Sequence, residues 1–207
     1  MDKLEYKFNN DVIIISQFLS NNYVEDDNNK FRYNYSPEFL SWYLNDTINI
    51  SVYNDELIGF ICGKKINLCL NKNNITIAEI DFLCIKKDYR NNKLCPILLN
   101  KIKEELNKIN IYDAIFTSEH KYPNQLSHAN YYIKFINPEY LFNIGYINCI
   151  PKINEQKTKG NKSLVRLEKE EDYIKCFELY NKYIINFDCY ELFNEKTFIE
   201  RFKNNLF

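Results

Sequence analysis

Runs with apolar residues at helical spacing alternate along the chain with runs that are apolar throughout or at every second position. Residues 11–21 (DVIIISQFLSN) carry apolar side chains at helical spacing behind Asp11, a suitable N-cap. Ser36-Pro37-Glu38 puts Ser at an N-cap and Pro at the first helical position, opening a short helix in SPEFLSWYL. Residues 50–68 read as a hairpin whose two β-rich runs flank the turn signal Asn54-Asp55. Residues 75–87 (ITIAEIDFLCIKK) form a strongly apolar strand, long enough to be central in a sheet. The polar loop 88–93 (DYRNNK) leads into an amphipathic helix over 95–109, with Ile97, Leu98, Ile102, Leu106 and Ile109 on one face. A strand is expected over 111–119, a helix over 124–136 stopped by Asn137-Pro138, and a strand over 140–150. The polar, aperiodic stretch 152–163 reads as a linker. Beyond it come a strand, an acidic start and a helix over 164–185, and a last helix over 191–204. The interleaving predicts a mixed α/β fold, a central sheet flanked by helices.

Composition narrows the function classes. The chain has 207 residues, enough for one domain, or one domain and a fragment. With 28 acidic against 27 basic residues, the formal net charge of -1 gives no reason to expect a nucleic-acid partner. The seven cysteines are scattered without CxxC spacing beside only two histidines, so no zinc constellation and no metal is expected. An odd cysteine count without a framework suits a reducing compartment, and the polar MDKLEYKFNND start is not a signal peptide. No run of about 18 apolar residues occurs, so no membrane span is expected and the cytoplasm is the default location. The abundance of Asn, Lys, Ile and Tyr suits codon drift in an AT-rich genome, such as that of a virus or parasite.

The most informative local pattern is the strand 75–87, the loop Asp88–Lys93 and the helix after it. A helix N-terminus offers unpaired N–H groups and the positive end of its dipole to a phosphate. Arg90 and Lys93 stand just before it. Taken alone, this is also how an ordinary strand-to-helix connection with solvated charges looks. No glycine-rich phosphate loop is present, which disfavours nucleotide hydrolysis and dinucleotide binding.

Two stretches decide between these readings. YVEDDNNKFRYNYSPEFLSW (23–42), and EIDFLCIKKDYRNNKLCPILLNKI (79–102) together with AIFT (114–117), strongly resemble the eukaryotic N-myristoyltransferase family, and NPEYL (137–141) fits a further landmark. The resemblance runs from about residue 8 onward. The family is built from two fused acetyltransferase-like (GNAT) halves; the first binds myristoyl-CoA, the peptide groove lies between them, and the product is an amide on an N-terminal glycine. It therefore implies residues 1–151 as an acyl-CoA-binding GNAT-like domain, 152–163 as linker, and 164–207 as the opening of a second half.

Site roles follow from the same resemblance. Phe82 and Leu83 match the pair whose backbone N–H groups hold the thioester oxygen. Phe82, Leu83, Cys84 and Ile85 would line the pantetheine, and Arg90, Asn91, Asn92, Lys93, Leu94 and Cys95 match the loop gripping the CoA phosphates. Tyr23, Val24, Glu25, Asp26, Asp27, Phe31, Tyr33 and Tyr35 match the loop covering the peptide, where the acidic run would favour basic residues downstream of the glycine. Thr117 matches a threonine near the reacting amine, and Tyr131 a tyrosine of the peptide groove. The departures are Asp81 where the family has Asn, Ile133 where it has a peptide-facing histidine, and no match for the family's N-terminal segment or for most of its second half. In the family the C-terminal carboxylate is the base toward the glycine amine, and Phe207 does not align with it.

An α-amino group with a pKa near 7.7–8.0 must lose a proton before it attacks a thioester. Three acceptors present themselves: the Asp81 carboxylate, the Phe207 carboxylate of the same chain or a symmetric partner, and water relayed by Thr117. Asp81 also admits a structural reading, as a carboxylate satisfied by backbone N–H groups, and Cys84 and Cys95 read as packing residues. The expected partners are myristoyl-CoA and N-terminal-glycine peptides, with a homodimer as one way to supply a missing wall of the groove. The rival readings are an acyltransferase of different chain length or acceptor, such as a lysine side chain, and a module that binds acyl-CoA or peptide without turnover.

Overall fold

The computed structural model describes residues 4–24, 30–118, 123–125, 127–133, 135–151 and 167–203. The chain divides into two units, Met1–Thr117 with Leu167–Phe207, and Ser118–Arg166.

The first unit holds a six-stranded sheet. Its elements in chain order are β1 (Glu5–Phe8), α1 (Val12–Asn22), α2 (Pro37–Tyr43), β2 (Thr47–Asn54), β3 (Glu56–Leu70), β4 (Asn73–Ile85), a 3-10 turn Lys87–Tyr89, α3 (Leu94–Lys108) and β5 (Ala114–Ile115), then α5 (Glu170–Ile184), β6 (Cys189–Glu191) and α6 (Glu195–Lys203). The strand order is β1-β2-β3-β4-β5, antiparallel up to β4, with β5 parallel to β4 and β6 antiparallel on the far end of β3.

The local signals explain most of these boundaries. Asp11 accepts from the N–H groups of Ile13 and Ile14, and Ser36 from that of Phe39, so both expected caps satisfy orphan donors of a first helical turn. The β2–β3 turn puts Asp55 at φ 62°, a left-handed conformation that Asp tolerates better than most residues.

Each sheet face carries its own core. One packs on α3, whose buried Leu94, Leu98, Ile102 and Leu106 repeat every fourth residue and meet Ile50, Val52, Ile61, Ala78 and Ile80. Gly63 lets the helix come close: a Cβ there would lie 3.1 Å from Ile102. The opposite face packs Phe60, Cys62, Phe82 and Cys84 against α1 and α2 through Ile15, Phe18, Leu19, Leu40 and Leu44.

The second unit contains α4 (Pro138–Asn143). Three sequence expectations need correction. Asn137-Pro138 starts a helix instead of stopping one: Asn137 accepts from the N–H of Tyr140, and Pro occupies the first turn, where its missing N–H costs nothing. In the strand expected over 140–150, residues 140–143 are helical instead, and none of the eleven pairs in a sheet. The described residues of 124–136 are not helical. Tyr131, Tyr132 and Ile133 are 88%, 91% and 72% exposed, and an amphipathic pattern without a surface to bury against does not hold a helix. The strand expected over 111–119 shrinks to Ala114–Ile115, and β1 and β6, too short to show periodicity, were not legible.

Candidate functional site

The site begins with an irregularity in β4. Register runs Cys62↔Asp81 and then Phe60↔Cys84, so Phe82 and Leu83 together oppose the single residue Ile61, a β-bulge. Phe82 has φ 52°, in the left-handed region that disfavours any residue with a Cβ. The bulge reverses the alternation of the strand. Before it Ala78 and Ile80 face α3; after it Phe82 and Cys84 face α1 and α2. An unbroken strand would send Phe82 to the α3 side.

A left-handed non-glycine residue costs about 1–3 kcal/mol. The ring of Phe82, 5% exposed, is held by Tyr35 at 5.1 Å, Tyr43 at 5.3 Å and Tyr23 at 5.8 Å between centroids. Aromatic pairs of this kind contribute roughly 0.5–1.5 kcal/mol each beyond their buried area, so three of them offset the strain.

The bulge coincides with an opening in the sheet. β4 pairs with β5 only at Ala78↔Ala114 and Glu79↔Ile115. From Ile80 onward the β5-side edge of β4 has no strand partner among the described residues, so its backbone donors and acceptors on that side are not taken up by the sheet ladder. Thr117 is exposed and lies two residues past Ile115, as Asp81 lies two past Glu79. Burial, Tyr35 and Asp81 push the Tyr23 phenol up to about 12, while a hydrogen bond with the Phe82 backbone pulls the other way.

Asp81, immediately before the bulge, is half-buried and accepts a hydrogen bond from the Tyr43 hydroxyl on Oδ2. Around this pair lie Glu79, Lys64, Glu191 and Arg201. Burial raises Glu79, with Asp81 adding and Lys64 opposing. Burial also raises Glu191 against the pull of Arg201 and Lys64, and it lowers Lys64, helped by Arg201. Lys64 Nζ lies 5.0 Å from the Tyr43 ring centroid, and the Arg201 guanidinium 5.7 Å from Tyr43 and 5.4 Å from Trp42. Trp42, Tyr43, Lys64, Glu191 and Arg201 help to line a groove of about 820 Å³ between α2, β3 and α6.

Past β4 the chain enters the second part of the site. Arg90 donates from Nε to the Ile85 carbonyl at 3.1 Å and from Nη2 to the Asn22 carbonyl at 2.6 Å, tying the end of β4 to the end of α1. Asn91 and Lys93 have φ 65° and 60°, and α3 starts without a side-chain cap. Left-handed residues in such a turn aim successive N–H groups into a concavity that suits an anion. Leu94 is 2% exposed, so its side chain belongs to the core and only its backbone can face a ligand.

The remaining expected residues are placed unevenly. Val24 is exposed at φ 35° beside Tyr23; Tyr33 is exposed and stacks on Tyr35 at 6.0 Å; Phe31 is half-buried. Glu25, Asp26, Asp27 and Phe207 lie outside the described residues. Tyr131 belongs to the second unit and is exposed there. Sequence reasoning missed Tyr43, Lys64 and Arg201. The signal for Glu79 was available, because Glu79 and Asp81 alternate on one strand and so share a face.

A mixed sheet flanked by helices, in which a bulged strand parts from its parallel neighbour and leads into an uncapped helix, defines the GNAT-like class of acyl-CoA N-acyltransferase folds. Crystalline Saccharomyces cerevisiae N-myristoyltransferase with bound myristoyl-CoA superposes on 98% of this chain with TM-score 0.84 at 26% identity, and 53% of that chain is covered. A family profile described as Myristoyl-CoA:protein N-myristoyltransferase, N-terminal domain, matches residues 2–129. Glycylpeptide N-tetradecanoyltransferase of Plasmodium falciparum is 32% identical over 204 residues, 90% of this chain and 50% of that protein. That of Dictyostelium discoideum is 34% identical over 147 residues, 67% of this chain and 36% of that protein. The chain belongs to the N-myristoyltransferase family, and it spans about half the length of the Plasmodium relative it matches.

Proposed function

We propose that this chain transfers a tetradecanoyl group from myristoyl-CoA to the amine of an N-terminal glycine. The observation that carries the reading is the left-handed bulge at Phe82, placed where β4 parts from β5. A strained backbone held by three aromatic rings at the mouth of an open strand edge is what a fixed oxyanion site requires. In this reading the thioester carbonyl accepts from the N–H groups of Phe82 and Leu83. The pantetheine lies along Phe82–Ile85, and the phosphates meet the loop Arg90–Cys95 at the start of α3. The glycine amine attacks the thioester carbon, the C–N bond forms, the C–S bond breaks, and CoA leaves as the thiol with the proton the amine gives up. In other acyl-transfer enzymes each oxyanion donor contributes about 2.7–4 kcal/mol to the transition state.

Asp81 is the leading acceptor for the amine proton. It precedes the bulge directly, and among the described residues only Tyr43 hydrogen-bonds its side chain, leaving Oδ1 available. Thr117 through water and the Phe207 carboxylate are the other acceptors. Tyr23, Val24, Phe31, Tyr33 and Tyr35, with Glu25, Asp26 and Asp27 of the sequence, are the proposed peptide-binding residues of the first unit, and Tyr131 is a separate peptide-binding candidate in the second. Residues 1–151 make the acyl-CoA half, 152–163 a linker and 164–207 the opening of the second half. Seven free cysteines support a reducing, cytoplasmic setting, and among the described residues no helix is long and apolar enough to cross a membrane. A homodimer is the proposed source of a further wall for the groove, tested by the mass in solution.

The test mixes the purified chain with myristoyl-CoA and a short peptide beginning Gly-x-x-x-Ser. Release of CoA thiol with a tetradecanoyl mass gain on the peptide is expected. Tight binding of myristoyl-CoA without product overturns the transferase reading in favour of an acyl-CoA-binding module.

A further inference from the structure

We propose that Tyr43 is a positioning residue: its hydroxyl holds Oδ2 of Asp81 and so aims the other carboxylate oxygen at the reacting amine. The inference rests on the reading of Asp81 as the proton acceptor.

The geometry supplies each part. Tyr43 is the last residue of α2, and its ring is fixed on several sides. It meets the edge of Phe82 at 5.3 Å and 84°, stacks on Phe39 at 5.7 Å and 23°, and lies against Trp42 at 6.1 Å. Phe82 is the bulge residue proposed as an oxyanion donor. One aromatic contact thus couples the proposed oxyanion donor to the residue that holds the proposed base. A carboxylate on a free side chain rotates about χ2 and presents either oxygen. With Oδ2 accepting from a ring that cannot move, that rotation stops and Oδ1 is left for the substrate.

The charges nearby keep the hydroxyl a donor. Burial first, and then the hydrogen bond to Asp81, push the phenol far above its ordinary value. Lys64 Nζ and the Arg201 guanidinium stand against the Tyr43 ring and draw electron density from it, strengthening the O–H as donor. The titratable groups that bear on the Asp81–Tyr43 pair come from five directions: Tyr23 and Tyr35 beside α1 and α2, Glu79 on β4, Cys62 and Lys64 on β3, Glu191 on β6, and Arg201 on α6. Of these, none donates a hydrogen bond to the Asp81 carboxylate among the described residues. Among the described residues only Tyr43 holds it by a hydrogen bond.

Tyr43→Phe keeps every ring contact and removes only the donor. Compared with the parent chain, we expect kcat to fall roughly ten- to a hundred-fold, the loss that a misaimed catalytic group produces. KM for myristoyl-CoA should stay within about two-fold, and the thermal midpoint should fall only by what one lost hydrogen bond costs, since no buried volume changes. The decisive comparison is made in the Asp81→Asn background. There Tyr43→Phe should cost nothing more, because there is no carboxylate left to aim. An equal loss of rate in both backgrounds, or a Tyr43→Phe variant with the parent kcat while Asp81→Asn is impaired, overturns the positioning role and leaves the base reading standing. An Asp81→Asn variant at the parent rate overturns the base reading and the inference with it, and so does a parent chain that transfers no acyl group.

Discussion

At the scale of single residues, Phe82 separates what a strand wants from what a site needs. Its φ of 52° is a conformation glycine adopts freely, yet the position holds a large ring 5% exposed. The ring is retained because three tyrosines grip it, and the conformation because the bulge leaves no alternative. An ordinary strand position loses about 0.5–1 kcal/mol when Ala is replaced by Gly. At residue 82 the order should invert. Phe82→Ala should be destabilised by about 3–5 kcal/mol through the cavity left among the tyrosines. Phe82→Gly should be more stable than Phe82→Ala by about 0.5–1 kcal/mol, because it sheds the left-handed strain. Urea titration of the two variants decides this, and an Ala variant that unfolds at higher urea than the Gly variant removes the argument from strain.

Elements impose a different constraint, the distance between a helix and the sheet beneath it. Helix α3 must start where β4 ends, because the loop that turns from one into the other carries the left-handed Asn91 and Lys93. Two glycines in β3 set how deeply the helix sits. A Cβ at Gly59 would be 3.0 Å from Leu98, and one at Gly63 would be 3.1 Å from two atoms of Ile102. Gly63→Val should therefore force α3 outward at a cost of about 1–3 kcal/mol, larger than the few tenths to one kcal/mol that a less flexible unfolded chain returns. Leu98→Ala, at a fully buried position, should cost about 2–5 kcal/mol through its cavity. Thermal unfolding reads both. Because α3 carries the proposed phosphate-binding loop at its start, Gly63→Val should also weaken myristoyl-CoA binding more than Leu98→Ala does, which isothermal titration checks.

Across the whole molecule, the charged cluster at the open end of the sheet makes stability depend on pH in an unusual direction. Glu79 and Glu191 are both raised above the ordinary carboxylate value, chiefly by burial. Over the interval between the ordinary and the raised values, the folded state binds more protons than the unfolded one. Stability from these two groups is therefore present at acid pH and is lost as pH rises through that interval. Lys64 is lowered by burial and Arg201, so its charged form is also disfavoured by folding, and its penalty fades as pH climbs through its lowered value. Replacing both glutamates by Gln should raise the thermal midpoint at pH 7 relative to pH 4 more than in the parent chain. A parent-like pH profile in the double variant would sink this account of the cluster.

The sequence by itself determined the order of the elements around the site and the family. Caps such as Asp11 and Ser36, the Asn54-Asp55 turn and the four-residue repeat of α3 act through neighbours a few positions away, so they are legible along the chain. The resemblance carried by EIDFLC and DYRNNK also singled out the strand and loop that hold the candidate site. Tertiary structure alone decided the rest. The bulge at Phe82 exists because β3 and β4 fall out of register by one residue, a fact about two strands and not about either. Tyr43 meets Asp81 across thirty-eight positions of sequence because α2 lies over the bulged face. Residues 124–136 carry helical spacing, but a helix needs a face to bury, and their tyrosines have none among the described residues of their unit. Periodicity records what a segment can do, while the partner it packs against decides whether it does so.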